Sequence, residues 1–197
     1  NNDGTLLTVS KNNIQDTLID IEKITFNNGY LLSSDISNLI TPQFSYSTYT
    51  SNIQSPGIVI NSNNTIITND IVINSNPQNI TKCSVVIDEL LHAWVGDLKI
   101  TLTNVNTGTS CVLMNLPGID TFGSSGDNFI NTILTDDASD SIDSITEGDS
   151  PHSGSYYPSD DTTRTFLNIF NGESINSTWR LTVEDTYPPL DNGILVK

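Results

Sequence analysis

Leu98, Ile100 and Leu102 alternate with Lys99, Thr101 and Thr103, and near the C-terminus Trp179, Leu181 and Val183 alternate with Arg180, Thr182 and Glu184. A period of two sends successive side chains to opposite faces, so each run reads as a half-buried β-strand with its apolar set inward. Other short runs rich in β-branched residues follow the same grammar: Ile58-Val59-Ile60, Ile71-Val72-Ile73, Ser84-Val85-Val86-Ile87 and Cys111-Val112-Leu113-Met114. Asn and Gly clusters, which enter turns at positive φ cheaply, lie between them. Strands at this density, with helix formers scarce, predict an all-β chain folded as a jelly-roll-like β-sandwich. Cys111–Met114 should pair with the 98–102 strand across the turn Asn106-Thr107-Gly108-Thr109. Ile58–Asn63 and Ile71–Asn76 nearly repeat at an interval of 13 residues, which predicts two adjacent strands with a turn around Asn63-Asn64 or Asn69-Asp70.

Charge narrows the partners. With 23 acidic and 7 basic residues the formal charge is -16, a field that repels nucleic-acid phosphates and anionic headgroups. No nucleic-acid partner and no membrane insertion are expected, since no run of about 18 apolar residues exists. The opening Asn1-Asn2-Asp3-Gly4 has neither Met nor a basic-then-apolar region, so the chain reads as an interior or C-terminal piece of a longer protein. Abundant Asn, Asp, Ser and Thr with little Lys suits a secreted or cell-surface location.

Serine-nucleophile chemistry needs a Ser, a His base and an orienting acid in mutual reach. Only His92 and His152 could be the base, and Gly108-Thr109-Ser110 runs into a strand where a nucleophile motif would need a helix. No triad is expected, and two His with two Cys form no recognisable zinc pattern. Calcium suits the chain better, because this hard cation takes about six to eight oxygen ligands of the kind acidic loops supply. From Ile100 to Thr163 there is no Lys or Arg, while Asp is frequent. Asp97, Asp127 with Asn128, and Asp136 with Asp137 each sit where a turn meets a strand, and these five are the candidate metal ligands. The alternative for each is a hydrogen bond to turn amides or simple solvation. His92 and Trp94 flank one residue and, in a strand, would share a face; Trp94 and Trp179 are read as core. Cys83 and Cys111 lie in apolar runs and are either a disulfide, worth about 3 kcal/mol for a loop of this size, or two buried thiols.

Several blocks occur in an order that resembles the P domain, or homo B domain, of kexin-like and other subtilisin-type proprotein convertases. They are His92-Ala93-Trp94-Val95-Gly96-Asp97-Leu98, Gly123-Ser124-Ser125-Gly126-Asp127-Asn128-Phe129, Pro151-His152-Ser153-Gly154-Ser155-Tyr156-Tyr157-Pro158, Phe170-Asn171-Gly172 leading to Asn176-Ser177-Thr178-Trp179, and Asp191-Asn192-Gly193-Ile194-Leu195. Leu134-Thr135-Asp136-Asp137-Ala138 is an imperfect version of the family's F-D-D-E-A. A further segment, Asp16-Thr17-Leu18-Ile19-Asp20-Ile21-Glu22-Lys23-Ile24-Thr25-Phe26, resembles the close of RTX (haemolysin-type) calcium-binding regions, without the glycine-rich nonapeptide; Leu18, Ile21, Ile24 and Phe26 are its expected core. The domain division is then 1–42, an RTX-like β extension, and 43–197, the P domain. The resemblance implies a non-catalytic accessory domain of a secreted serine endopeptidase, with a subtilisin-like catalytic domain in the same parent chain as its partner and calcium as its cofactor. A calcium-dependent adhesion or binding module of a large RTX-type surface protein is the alternative.

Overall fold

The structure, a computed structural model, describes residues 6–11, 14–19, 46–187 and 191–197. The chain divides into two units, Asn1–Thr48 and Tyr49–Lys197. In the first, β1 (Leu6–Lys11) and β2 (Ile14–Ile19) pair antiparallel. Asp16 to Ile19 of the RTX-like segment lie in β2; its remainder, with Ile21, Ile24 and Phe26, lies outside the described residues.

The second unit is a β-sandwich. One sheet has five strands in the order β3 (Ile58–Ile60), β13 (Gly193–Leu195), β5 (Ser84–His92), β8 (Phe129–Thr135) and β9 (His152–Tyr156). The other has four, in the order β4 (Ile66–Val72), β12 (Thr178–Asp185), β6 (Leu98–Asn104) and β7 (Ser110–Asn115). All neighbours are antiparallel except β8 and β9. A small ribbon, β10 (Ser159–Asp160) with β11 (Thr163–Arg164), forms its own ladder and is tied to β7 by Asn115, whose Nδ2 donates to Asp160 Oδ1 at 2.8 Å.

The alternating runs behave as their period demands. Leu98, Ile100 and Leu102 on β6 are buried between partly exposed neighbours, and so are Trp179 and Val183 on β12. The 98–102 strand pairs with β7 across the expected turn, Leu102 opposite Cys111. Ile60, Leu90, Phe129 and Leu195 from the five-stranded sheet join Ile100, Leu113 and Val183 from the other in one core. Burying aliphatic side chains of this size contributes about 1.5–3 kcal/mol each.

The duplicated Ile-Val-Ile segments do not pair with each other. Asn61 and Asn64 do close a turn between β3 and β4, with the Asn61 side chain accepting from the N–H groups of Asn63 and Asn64. The strands then part into different sheets, β3 beside β13 and β4 beside β12. β12 and β13 thus follow the same division from the C-terminal side, inserting between earlier strands in each sheet. This is the jelly-roll manner of joining two sheets, where neighbours in sequence are not neighbours in space.

Candidate functional site

β5 ends at His92 and β12 ends at Asp185, and both point into one end of the sandwich. The turn between β5 and β6 is a short 3₁₀ segment, Val95–Asp97. It is covered by the 116–128 loop through two backbone bonds, Val95 N–H to Gly126 O at 3.0 Å and Gly96 N–H to Ser124 O at 2.9 Å. That approach is close enough to require glycine on both sides. A Cβ on Gly96 would stand 2.5 Å from Ser124 N, and one on Gly123, at φ +71°, would stand 2.5 Å from Gly96 Cα.

Asn128 then ties the loop to β5. Its Oδ1 accepts from His92 N–H at 2.9 Å, and its own N–H donates to His92 O at 3.0 Å. The residue sits at φ 62°, a left-handed conformation that Asn tolerates. On the other side of the turn, the Asp97 carbonyl accepts from both the N–H and the hydroxyl of Thr186, at 2.8 and 2.7 Å. Gly193 completes the assembly, since a Cβ there would stand 2.6 Å from His92 Cδ2. Residues far apart in sequence are therefore joined at one centre, around His92.

His92 and Asp185 are buried, 1% and 2% exposed. Asp185 Oδ1 accepts from Tyr187 N–H at 3.0 Å, while Oδ2 has no hydrogen-bond partner and stands 3.8 Å from His92 Nε2, also unpartnered. Asp97 is pushed up to about 6, first by burial and then by the negative charges of Asp185 and Asp191, with His92 opposing.

The five expected metal ligands do not come together. Asn128 is spent on His92, as described. Asp136 caps a short 3₁₀ helix, Leu167–Phe170, its two oxygens accepting from Leu167 N–H at 2.9 Å and Asn168 N–H at 2.8 Å. Asp137 pairs with Lys82 on the surface. Asp127 is laced by its backbone to Ser150, whose hydroxyl meets both its N–H and its carbonyl. Asp97 feels the negative charges of Asp185, at the end of β12, and Asp191, two residues before β13, positions that the acidic central region did not point to. Among the described residues no three His, Cys, Asp or Glu side chains are grouped as a metal-holding set as they stand.

Cys83, half-buried, and Cys111, buried, are free thiols in the structure. Burial pushes Cys83 up to about 12, helped by Cys111 and Asp136, and raises Cys111 as well. Trp179 is buried as expected, but Trp94 is 37% exposed. The strand ends at His92, so the alternation that would have turned Trp94 inward stops two residues short of it. Its indole N–H reaches Phe122 O at 3.4 Å over the covering loop. Ser110 pairs its hydroxyl with Thr103 across β6 and β7. Arg180 forms a two-pronged ion pair with Asp70, both contacts at 2.8 Å. Arg164 instead lies over the Tyr157 and Phe166 rings and donates to Asp136 O.

His152 lies beneath the same loop. It is fully buried, its ring 5.5 Å from Phe129 and tight against Gly126, with neither ring nitrogen partnered. Burial lowers its pKa below the ordinary 6.5, against the opposing pull of Asp149 and Asp127. The unfolded chain therefore binds more protons than the folded one just below pH 6.5, so stability falls as pH drops through that window towards the depressed folded value. Denaturant unfolding of the wild type and His152→Phe between pH 7 and pH 5 should show the wild type losing stability relative to the variant. Parallel pH profiles would contradict the buried neutral imidazole.

The arrangement defines the chain as an all-β sandwich whose loops are locked at one end around a buried His and Asp. No family model matches it, and no curated protein does. Among solved structures it is similar to the complex of a serine protease and a chaperone from Aeromonas sobria, at 12% identity over 98% of this chain, with a TM-score of 0.32. The match takes in 35% of that chain's length.

Proposed function

We propose that this chain is the non-catalytic P domain of a secreted subtilisin- or kexin-like serine endopeptidase, stabilising the protease domain beside it and holding calcium at its acidic end. The observation that supports this reading is how the family-like residues are used. Gly96, Gly123, Asn128 and Gly193 serve close packing of loop on turn and strand on strand, and the motif histidines are buried. Residues so employed build a rigid body and leave chemistry to a neighbour.

The test is on the parent protein. Deleting residues 46–197 should shorten the half-life of peptidase activity at elevated temperature by about tenfold or more, a change of about 1.4 kcal/mol in the inactivation barrier. The separately expressed chain should cleave no peptide. Unchanged thermal inactivation after the deletion, or peptidase activity in the isolated chain, would overturn the proposal.

A further inference from the structure

The two sheets present different faces to solvent. On the four-stranded sheet the outward rows are polar, with Thr182 opposite Thr101 and Glu184 opposite Lys99. On the five-stranded sheet one outward row is aliphatic. Ile194 on β13 stands opposite Val59 on β3 and Leu91 on β5. Their sequence neighbours Ile60, Leu195 and Leu90 are buried, so the period of two turns these three outward. Val59 is 42% exposed, and Leu91 and Ile194 are partly exposed. Strands lie about 4.8 Å apart, so the row runs about 10 Å across the sheet from its β3 edge.

This row is the floor of a depression of about 380 Å³, a size within the range of about 300–1,000 Å³ that ligand sites occupy. The next strand of the sheet is β8, and the depression ends at the two residues that lead into it, Asp127 and Asn128, with Asn192 on its rim. Both residues are held in place: Asn128 by its bonds to His92, and the Asp127 backbone by the Ser150 hydroxyl. The Asp127 carboxylate itself is exposed and makes no hydrogen bond or ion pair among the described residues. Other cations of the chain are engaged away from it, Arg180 with Asp70, Lys197 with Asp88 and Lys82 with Asp137.

An aliphatic floor that ends on an unanswered carboxylate is complementary to one kind of side chain. Lysine and arginine lay their methylenes on apolar surface and keep the charged head at a polar end. We propose that this depression binds a lysine or arginine side chain from an extended cationic segment of another polypeptide, its stem on Val59, Ile194 and Leu91 and its head on Asp127. The Asn192 amide, exposed at the rim, offers both a donor and an acceptor to the backbone of that segment. The formal charge of -16 draws such a segment in from a distance, and the row with Asp127 gives it a defined seat. The site goes beyond the accessory-domain reading and does not rest on it.

Fluorescence anisotropy of a labelled peptide of alternating valine and arginine, titrated with the 197-residue chain, tests the proposal. Asp127→Asn should weaken binding by about tenfold or more. Asp161→Asn removes the same charge from the turn between β10 and β11, beside the other sheet, and should change binding by about twofold or less. Val59→Ser keeps every carboxylate and should weaken the valine–arginine peptide by about threefold or more, with an unchanged melting midpoint as the check on folding. A glycine–arginine peptide of equal charge should bind more weakly and respond less to Val59→Ser. Undiminished binding by Asp127→Asn would overturn the site. Equal losses in Asp127→Asn and Asp161→Asn would overturn it too, since the general field of the chain would then account for the binding. Self-association abolished by Val59→Ser, with no peptide bound, would overturn it in favour of a second copy of this chain.

Discussion

Alanine in place of Gly96 is expected to destabilise the sandwich by about 1–3 kcal/mol, and in place of Gly123 by about 3 kcal/mol or more, a large effect for a single added methyl. The two glycines face each other across the contact between the 95–97 turn and the 116–128 loop. A Cβ on either would meet backbone atoms at 2.5 Å, and backbone cannot rotate away as a side chain can. Overpacking of this kind costs about 1–3 kcal/mol, and at Gly123 the left-handed φ of +71° adds about 1–3 kcal/mol of its own. The relief available is to lift the loop, which would break the bonds from Val95 and Gly96 to Gly126 and Ser124 and expose His152 beneath. Against a total stability of about 5–15 kcal/mol, that is a large fraction. Gly148→Ala is the control, since a Cβ there meets nothing nearer than Thr146 Oγ1 at 3.7 Å, and its cost should stay within about 0.5 kcal/mol. Chemical denaturation of the three variants measures all of this, and Gly96→Ala and Gly123→Ala unfolding alongside the wild type would refute the loop-on-turn account.

The glycine pair also shows what the amino-acid order did and did not reveal. Strands were legible because their cause is local: the period-two alternation of Leu98 to Leu102 survives whatever the chain does elsewhere. Their partners were less so. Ile58–Ile60 and Ile71–Ile73 look like a hairpin because pairing with a sequence neighbour is the short-range answer, whereas the sandwich sends β3 to β13 and β4 to β12. Nothing local to either segment encodes that choice.

The candidate site was legible in part for the same reason. Asp97 stood out because a carboxylate at a Gly-Asp turn is a local signal, but Asp185 and Asp191 reach it only through the long-range placement of β12 and β13. Density of acidic residues drew attention to Asp136 and Asp137, and density is a poor guide when each carboxylate has a nearby use. Asp136 caps a helix that begins at Leu167, and Asp137 meets a lysine from the start of β5's approach. A sharper signal was available in the alternation itself: Asp185 falls on the inward side of β12 with Trp179 and Val183, and an inward carboxylate demands a partner.

The two tryptophans, alike as sequence landmarks, should part by several kcal/mol when truncated. Trp179 is 7% exposed and lies edge-on to Phe170, with ring centroids 5.1 Å apart and planes at 80°. Its indole N–H donates to Ile175 O at 3.1 Å. Trp179→Ala removes that packing and leaves a cavity at the foot of β12, a loss of about 3–5 kcal/mol. Trp179→Phe retains most of the apolar contact but orphans the Ile175 carbonyl, so it should cost about 1–3 kcal/mol. Trp94 is more than a third exposed and packs over the Phe122 carbonyl, so Trp94→Ala should cost about 1 kcal/mol or less. Urea unfolding of the three variants checks the order, and equal losses at Trp94 and Trp179 would contradict it. The asymmetry carries a functional consequence. An indole that contributes little to its own fold, beside the exposed Phe122 ring at the acidic end, is free to spend its contact area on a neighbour. Under the proposed accessory-domain role, Trp94→Ala should shorten the thermal half-life of the parent's peptidase activity more than it destabilises the isolated domain, whereas Trp179→Ala should act only as far as it unfolds the sandwich.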